Sequence, residues 1–153
     1  MENLYGTTAN SYIVIDLQKL RRNVLKITAV LGNGVKFLPV LKGNAYGHGL
    51  AEVGAFLVRE CGIDMLCVGP STEAECLRSF GLTCDILTLG GTPFNNIPYV
   101  VAHDITTTLA GAEYAELLSQ EAVSQHKKAK VHLKIDTGLG RMGVRCGEEL
   151  DSL

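Results

Sequence analysis

No stretch of this chain approaches the roughly 18 to 20 consecutive apolar residues that a membrane-crossing helix needs, so no membrane segment is expected within it. The first ten residues are polar and lack the apolar core of a signal peptide. An excess of positive charge is missing too. Fourteen Lys and Arg against sixteen Asp and Glu leave a formal charge of −2, whereas a nucleic-acid surface needs clustered cations. The only basic cluster, Lys127, Lys128 and Lys130, reads as a solvated helix end. Cysteine occurs five times, an odd number, with no C-x-x-C pair. Disulfide frameworks and zinc knuckles both need paired spacings, so no metal site is expected, and the thiols are expected to be reduced in a cytoplasmic compartment. Repeats, low-complexity segments and long linkers are absent as well, and residues 1–153 are read without an internal boundary.

What is present is an alternation of short apolar runs with amphipathic stretches. Residues 12–15 form an extended run, and Asp16 can cap a helix after it. Leu17, Leu20, Val24, Ile27 and Leu31 then share one helical face, ended by Gly32 and Gly34. Residues 35–41 read as a buried strand with Lys42 at its carboxyl end. Leu50, Val53, Leu57 and Cys61 form a second helical face, closed by Gly62. Strands are expected at 65–68, 84–89, 105–109 and 131–135. Helices are expected at about 72–80, with Thr72 and Glu75 in capping-box spacing, and at about 112–125, with Tyr114, Leu117, Leu118 and Ala122 inward. Residues 90–98 are turn-rich, and 148–153 look like a further helix beginning.

Strands buried on both faces and separated by helices predict an α/β fold with a parallel sheet. Two architectures compete, an open doubly wound sheet and a closed (β/α)8 barrel. A barrel typically needs about 250 residues. Asp151-Ser152-Leu153 supplies neither a helix stop nor a tail, so the expectation is a partial barrel of roughly the first five βα units. Its open strand edges would invite another chain to pair with them.

Two segments carry chemistry. In Val40-Leu41-Lys42-Gly43-Asn44-Ala45-Tyr46-Gly47-His48-Gly49 an apolar strand delivers one lysine to its carboxyl end, and three glycines permit tight turns. Ligands of parallel α/β folds sit at that edge. A lysine partly desolvated there has its charged form disfavoured, which suits a Schiff base. By residue type alone Lys42 reads more readily as a snorkelling surface lysine, and His48 as a turn residue. In Lys134-Ile135-Asp136-Thr137-Gly138-Leu139-Gly140-Arg141-Met142-Gly143 another strand ends in a Gly-rich turn, now with a guanidinium whose fork suits a carboxylate or phenolate oxygen. The plainer alternative is an Asp136–Arg141 ion pair bracing the loop. Lys134 should alternate inward, and a buried lysine needs a partner.

The first of these runs resembles the cofactor-lysine signature of the alanine racemase family, with Gly43 where alanine is usual. The second resembles that family's Asp-Thr-Gly and arginine signature. Both stand in family order and at about the family's separation, and the likeness extends back to Ile15-Asp16-Leu17. The resemblance implies the N-terminal part of a pyridoxal 5'-phosphate-dependent racemase barrel, without its later strands and C-terminal β-domain. It implies that Lys42 is the Schiff-base lysine and a catalytic base, and that Tyr46 binds the cofactor near its phosphate. Arg141 would reach both the cofactor's phenolic oxygen and the substrate carboxylate, and Lys134 would be open to N-carbamylation. The implied activity is interconversion of L- and D-alanine for cell-wall synthesis by a cytoplasmic homodimer. A serine racemase of the vancomycin-resistance type, whose catalytic portion follows a membrane domain, and a non-catalytic pyridoxal-phosphate carrier are the alternatives. The family's opposite-face tyrosine matches none of Tyr5, Tyr12, Tyr46, Tyr99 or Tyr114, so residues 1–153 alone are expected not to racemise at a useful rate.

Overall fold

The computed structural model describes residues 11–32 and 34–151; the polar first ten residues and the 152–153 end of the last expected helix lie outside them. Asp16 caps the first helix as expected. Its Oδ1 accepts the Lys19 N–H at 2.9 Å, satisfying a donor that the first turn leaves without an intrahelical partner. That helix is α1 (Leu17–Leu31). Of its expected apolar face only Val24 is fully buried, while Ile27 stays exposed.

Four parallel strands follow, β1 (Met65–Val68), β2 (Asp85–Thr88), β3 (Thr106–Leu109) and β4 (Val131–Leu133), hydrogen-bonded in chain order. A five-residue turn, α2 (Lys42–Tyr46), and α3 (Leu50–Cys61) precede β1; α4 (Ser71–Ser79), α5 (Ile97–Ala102) and α6 (Ala112–Ser124) run between the strands, with α7 (Glu148–Asp151) beyond. Residues 35–41 do not make the full strand that their apolarity suggests. Pro39 has no N–H to give a ladder, and pairing with β1 is confined to the end: Cys67 N–H donates to Pro39 O at 2.8 Å, and Leu41 N–H to Cys67 O at 2.7 Å. The segment is therefore pinned where it meets Lys42.

The sheet decides between the two expected architectures. A doubly wound sheet reverses its strand order and carries helices on both faces. Here the order runs straight through, and the register separates two unlike faces. Leu66, Val68 and Ile86 join a large core with Val24, Leu57, Ala74, Leu77, Val100 and Leu118 from five helices. The opposite face holds a small separate cluster of Met65, Cys67 and Leu87, flanked by Leu38 and Leu89, with no helical residue in it. Helices on one face of a consecutively ordered parallel sheet are the arrangement of a (β/α)8-type barrel, of which this is a part. Leu66, Leu77 and Ile86 are wholly buried, and each such side chain contributes about 1.5–3 kcal/mol. β4 is the sheet edge, and Val131 and Leu133 on its helix-side face are 42% and 47% exposed.

Two local readings are revised. The helix after β1 starts at Ser71, not Thr72, with Pro70 at the N-cap and no side-chain cap bond. Thr72 and Glu75 therefore make no capping box; Glu73 reaches back instead, to the Gly69 N–H at 2.9 Å. Within turn-rich 90–98 and beyond it, α5 forms with Pro98 in its first turn, where the missing N–H costs nothing. Among the described residues no helix is long and apolar enough to cross a membrane.

Candidate active site at the carboxyl ends of the strands

The turn after Leu41 is left-handed. Gly43, Asn44 and Ala45 take φ of 64°, 56° and 54° with ψ of 46°, and Tyr46 follows at φ 55°. For an L-residue that region costs roughly 1–2 kcal/mol each, so the surroundings must over-determine it. They do. Ala45 N–H donates to Leu41 O at 2.7 Å, and the N–H groups of Gly47 and Gly49 to Asn44 O at 3.1 Å. His48 Nδ1, protonated, donates to Ala45 O at 2.8 Å. Asn44 Oδ1 accepts from Leu50 N–H at 2.8 Å and so caps α3 from outside it. His48 is thus a turn residue with a definite bracing task.

Lys42 stands at the start of this turn, exposed, and its amine forms no hydrogen bond or ion pair with another described residue. The desolvation expected for it is not supplied by the described residues. Its neighbours at the strand ends are small. A Cβ on Gly69, just after β1, would stand 3.3 Å from Lys42 Cβ, and one on Gly90, just after β2, would stand 3.1 Å from Gly69 O. Gly90 N–H in turn donates to Gly69 O at 3.0 Å. Successive strand exits are thereby drawn together beside Lys42, leaving room above them.

Lys134 joins the same edge from the far side. It follows β4 two residues after His132, whose partner Thr108 shares the face of Cys67 and Leu87, and it is half-buried with Nζ 3.4 Å from Leu89 O. Thr106 and Thr108, both buried, make this stretch of the inner face polar. Beneath it the thiol of Cys67 is pushed up in pKa by burial, so it stays protonated and is no nucleophile at neutral pH.

The loop carrying Arg141 is closed on itself. Val144 N–H donates to Lys134 O and Asp136 N–H to Val144 O, both at 2.9 Å. The Asp136 carboxylate accepts from Gly138 N–H at 3.0 Å and from Gly140 N–H at 3.0 and 3.1 Å. An Asp136–Arg141 pair is not among the ion pairs of the described residues. The acid braces the turn by its backbone, which leaves the guanidinium exposed. Met142 packs toward Gly91, placing the loop over the exit of β2. The structure therefore brings Lys42, Lys134 and the Arg141 loop to one rim, with Tyr46 exposed at the end of the left-handed turn. A groove of about 490 Å³ lined by Ile13, Leu20, Leu41, Ala45 and His48 lies under that turn on the helix side, away from the rim.

The turn bonds hold the Asp136 carboxyl below its ordinary pKa, Gly138 and then Gly140 being the main donors. A depressed carboxyl pKa gives stability that is present above the unfolded value of about 3.9 and lost as pH falls through the folded value. Amide-exchange protection of Gly138 and Gly140 is therefore expected to persist down to about pH 4 and disappear below it. Asp136→Asn should remove that dependence, and an Asn variant whose protection follows the same pH course as the parent would refute the bracing role.

Sequence reasoning passed over Glu73, Asn44, Gly69 and Gly90. The one signal for Glu73 was an acid in the first turn after Gly69-Pro70; Asn44 stood inside the Lys42 run without a role of its own, and nothing local announced Gly69 or Gly90. Among the described residues no cluster of three or more His, Cys, Asp or Glu is placed to hold a metal ion.

A one-sided parallel sheet with a lysine, a second lysine and an arginine loop on its carboxyl rim defines a barrel-type α/β protein, and that rim is where ligands of such barrels sit. Residues 15–153 match the family "Alanine racemase, N-terminal domain", and the chain belongs to that family. It is 42% identical over 131 residues to alanine racemase 1 of Caldanaerobacter subterraneus subsp. tengcongensis, covering 86% of this chain and 34% of the relative. The alanine racemase structure of Clostridium difficile 630 superposes with a TM-score of 0.80 at 36% identity, over 88% of this chain and 35% of that one. A histidine racemase from Leuconostoc mesenteroides subsp. sake gives 0.77 at 27% identity, over 87% and 36%. The chain thus spans about a third of the length of the curated relatives it matches.

Proposed function

We propose that this chain is the cofactor-anchoring portion of a pyridoxal 5'-phosphate-dependent amino-acid racemase acting on alanine, with Lys42 as the Schiff-base lysine. One observation carries the reading: an exposed amine with no partner among the described residues stands at a strand end beside Gly69, where a Cβ would come within 3.3 Å of Lys42 Cβ. A planar cofactor needs that kind of cradle, and the residues present fit it. When bound, pyridoxal phosphate supplies a conjugated sink for the charge left when an α-proton is removed.

The chain's own residues divide the rest. Lys42 holds the cofactor through Nζ and, once released, takes or returns the proton at the substrate's α-carbon from one face. Tyr46 offers its hydroxyl to the phosphate from the end of the left-handed turn. Arg141 presents a fork to the phenolic oxygen and the substrate carboxylate. N-carbamylation of Lys134 replaces a cation with an anion, which favours the arginine's orientation. Racemisation also needs a proton group on the opposite face, which we assign to a partner subunit in a homodimer. The barrel's later strands and a C-terminal β-domain complete the site.

The histidine racemase likeness supports a second reading of the substrate alone. Related barrels serve different amino acids, so serine remains an alternative for the same chemistry. Cytoplasmic D-alanine supply for cell walls is the role we propose for the alanine activity.

The test is chemical. Pyridoxal phosphate is added, the adduct is reduced with borohydride, and the labelled peptide is mapped. Label on Lys42 is expected, and label on another lysine with none on Lys42 overturns the assignment.

A further inference from the structure

We propose that Glu73 is the positioning residue for Lys42, a carboxylate clamp that joins the left-handed turn to the exit of β1 and so sets the direction in which the lysine leaves its strand. The inference rests on the assignment of Lys42 made above and names a residue that acts on it without touching the reacting atoms.

Glu73 lies in the first turn of α4, half-buried. Its Oε2 accepts from Gly69 N–H at 2.9 Å, and its Oε1 accepts from Asn44 N–H at 3.1 Å. The first bond is local and would suit an ordinary reach-back at a helix start. The second spans 29 residues, and no helix cap requires it. Gly69 is the residue on which a Cβ would come within 3.3 Å of Lys42 Cβ, and Asn44 is two residues beyond Lys42. The carboxylate therefore grips the backbone on both sides of the lysine.

Three further facts fit a clamp. Both partners are N–H donors, so each oxygen must accept, and an ionised carboxylate is the side chain that accepts at both ends. Glutamine would turn an NH2 toward one of them. Gly69 lets the parts approach, since a Cβ there would stand 3.2 Å from Glu73 Oε2 as well as 3.3 Å from Lys42 Cβ. Finally, Asn44 holds φ 56°, and an acceptor fixed at its N–H offsets the cost of that conformation. Asn44 in turn caps α3 at Leu50, so the grip extends from α4 through the turn to the next helix.

The test uses Glu73→Gln and, as a variant that keeps the charge but shortens the reach, Glu73→Asp, in the full chain. Two readouts are taken beside a melting curve: amide-exchange protection at Asn44 and Gly69, and the rate and concentration dependence of borohydride trapping of pyridoxal phosphate on Lys42. We expect Glu73→Gln to lose protection at one or both amides and to slow trapping on Lys42 by about ten- to a hundredfold, as a displaced reacting group does. Glu73→Asp should fall between it and the parent chain. If Glu73→Gln unfolds, Glu73→Asp carries the same comparison. Trapping on Lys42 at the parent rate and concentration dependence in a folded variant overturns the clamp, whether or not the amides have lost protection. Protection at Asn44 and Gly69 that survives Glu73→Gln overturns it too. Failure of the Lys42 assignment is a different result: the parent chain itself then gives no label on Lys42, while the amides still report whether Glu73 holds the turn.

Discussion

Lys42→Ala is expected to lower racemisation by the full-length polypeptide roughly 10²–10⁴-fold or more, the range in which a positioned proton-transfer group contributes, and to abolish borohydride-trapped cofactor. The fold should be unaffected. The Lys42 side chain is exposed and makes no bond to another described residue, and a surface substitution of that kind usually changes stability by less than about 0.5 kcal/mol. Steady-state kinetics and a melting curve on the same preparation therefore separate a chemical role from a structural one. Full activity in Lys42→Ala would remove the assignment of Lys42 as the Schiff-base lysine. A large drop in melting temperature would show that the aliphatic stem is a packing element against Gly69.

Gly143→Ala should be almost as damaging, by a different route. A Cβ at residue 143 would stand 2.9 Å from both Asp136 N and Lys134 O and 3.1 Å from Ile135 C, all of them backbone atoms, and its φ is +124°. Backbone cannot swing aside as a side chain can. The paired bonds between 134–136 and 144 must open, at a cost of about 1–3 kcal/mol for the strained dihedral alone. Arg141 lies inside that closed loop. Displacement of about 1 Å in a positioning group can cost 10²-fold in rate, so kcat should fall about a hundredfold while trapping on Lys42 survives, because the lysine sits on a separate turn. A variant that keeps both its activity and the exchange protection of the Asp136 and Val144 amides would show that the loop's closure does not position the arginine.

These two variants probe the sequence's two recognisable segments, and their contrast shows how legibility varied along the chain. Period and alternation placed the apolar face of α3 and the bodies of β1 and β3 close to where they lie, because those patterns report burial one residue at a time. The strand ending at Lys42 was apolar enough to read as a full strand, yet Pro39 limits it to pairing at the end, and a donor count would have said so. The ionic brace between Asp136 and Arg141 was chemically reasonable. The glycine N–H groups nearer in sequence took the carboxylate instead, since they are already held within reach and lose little freedom on binding it.

The amino-acid sequence by itself determined the alternating α/β character, the end of the strand that carries Lys42 and the family to which both signatures belong, for each of these follows from short-range pattern. Only the tertiary structure decided that the strands run in consecutive order with helices on one face, that the five residues after Lys42 turn left-handed, and that Glu73 holds Asn44 from 29 residues away. Those outcomes depend on which distant backbone donors and apolar faces find one another, and that pairing is settled by packing the whole chain at once.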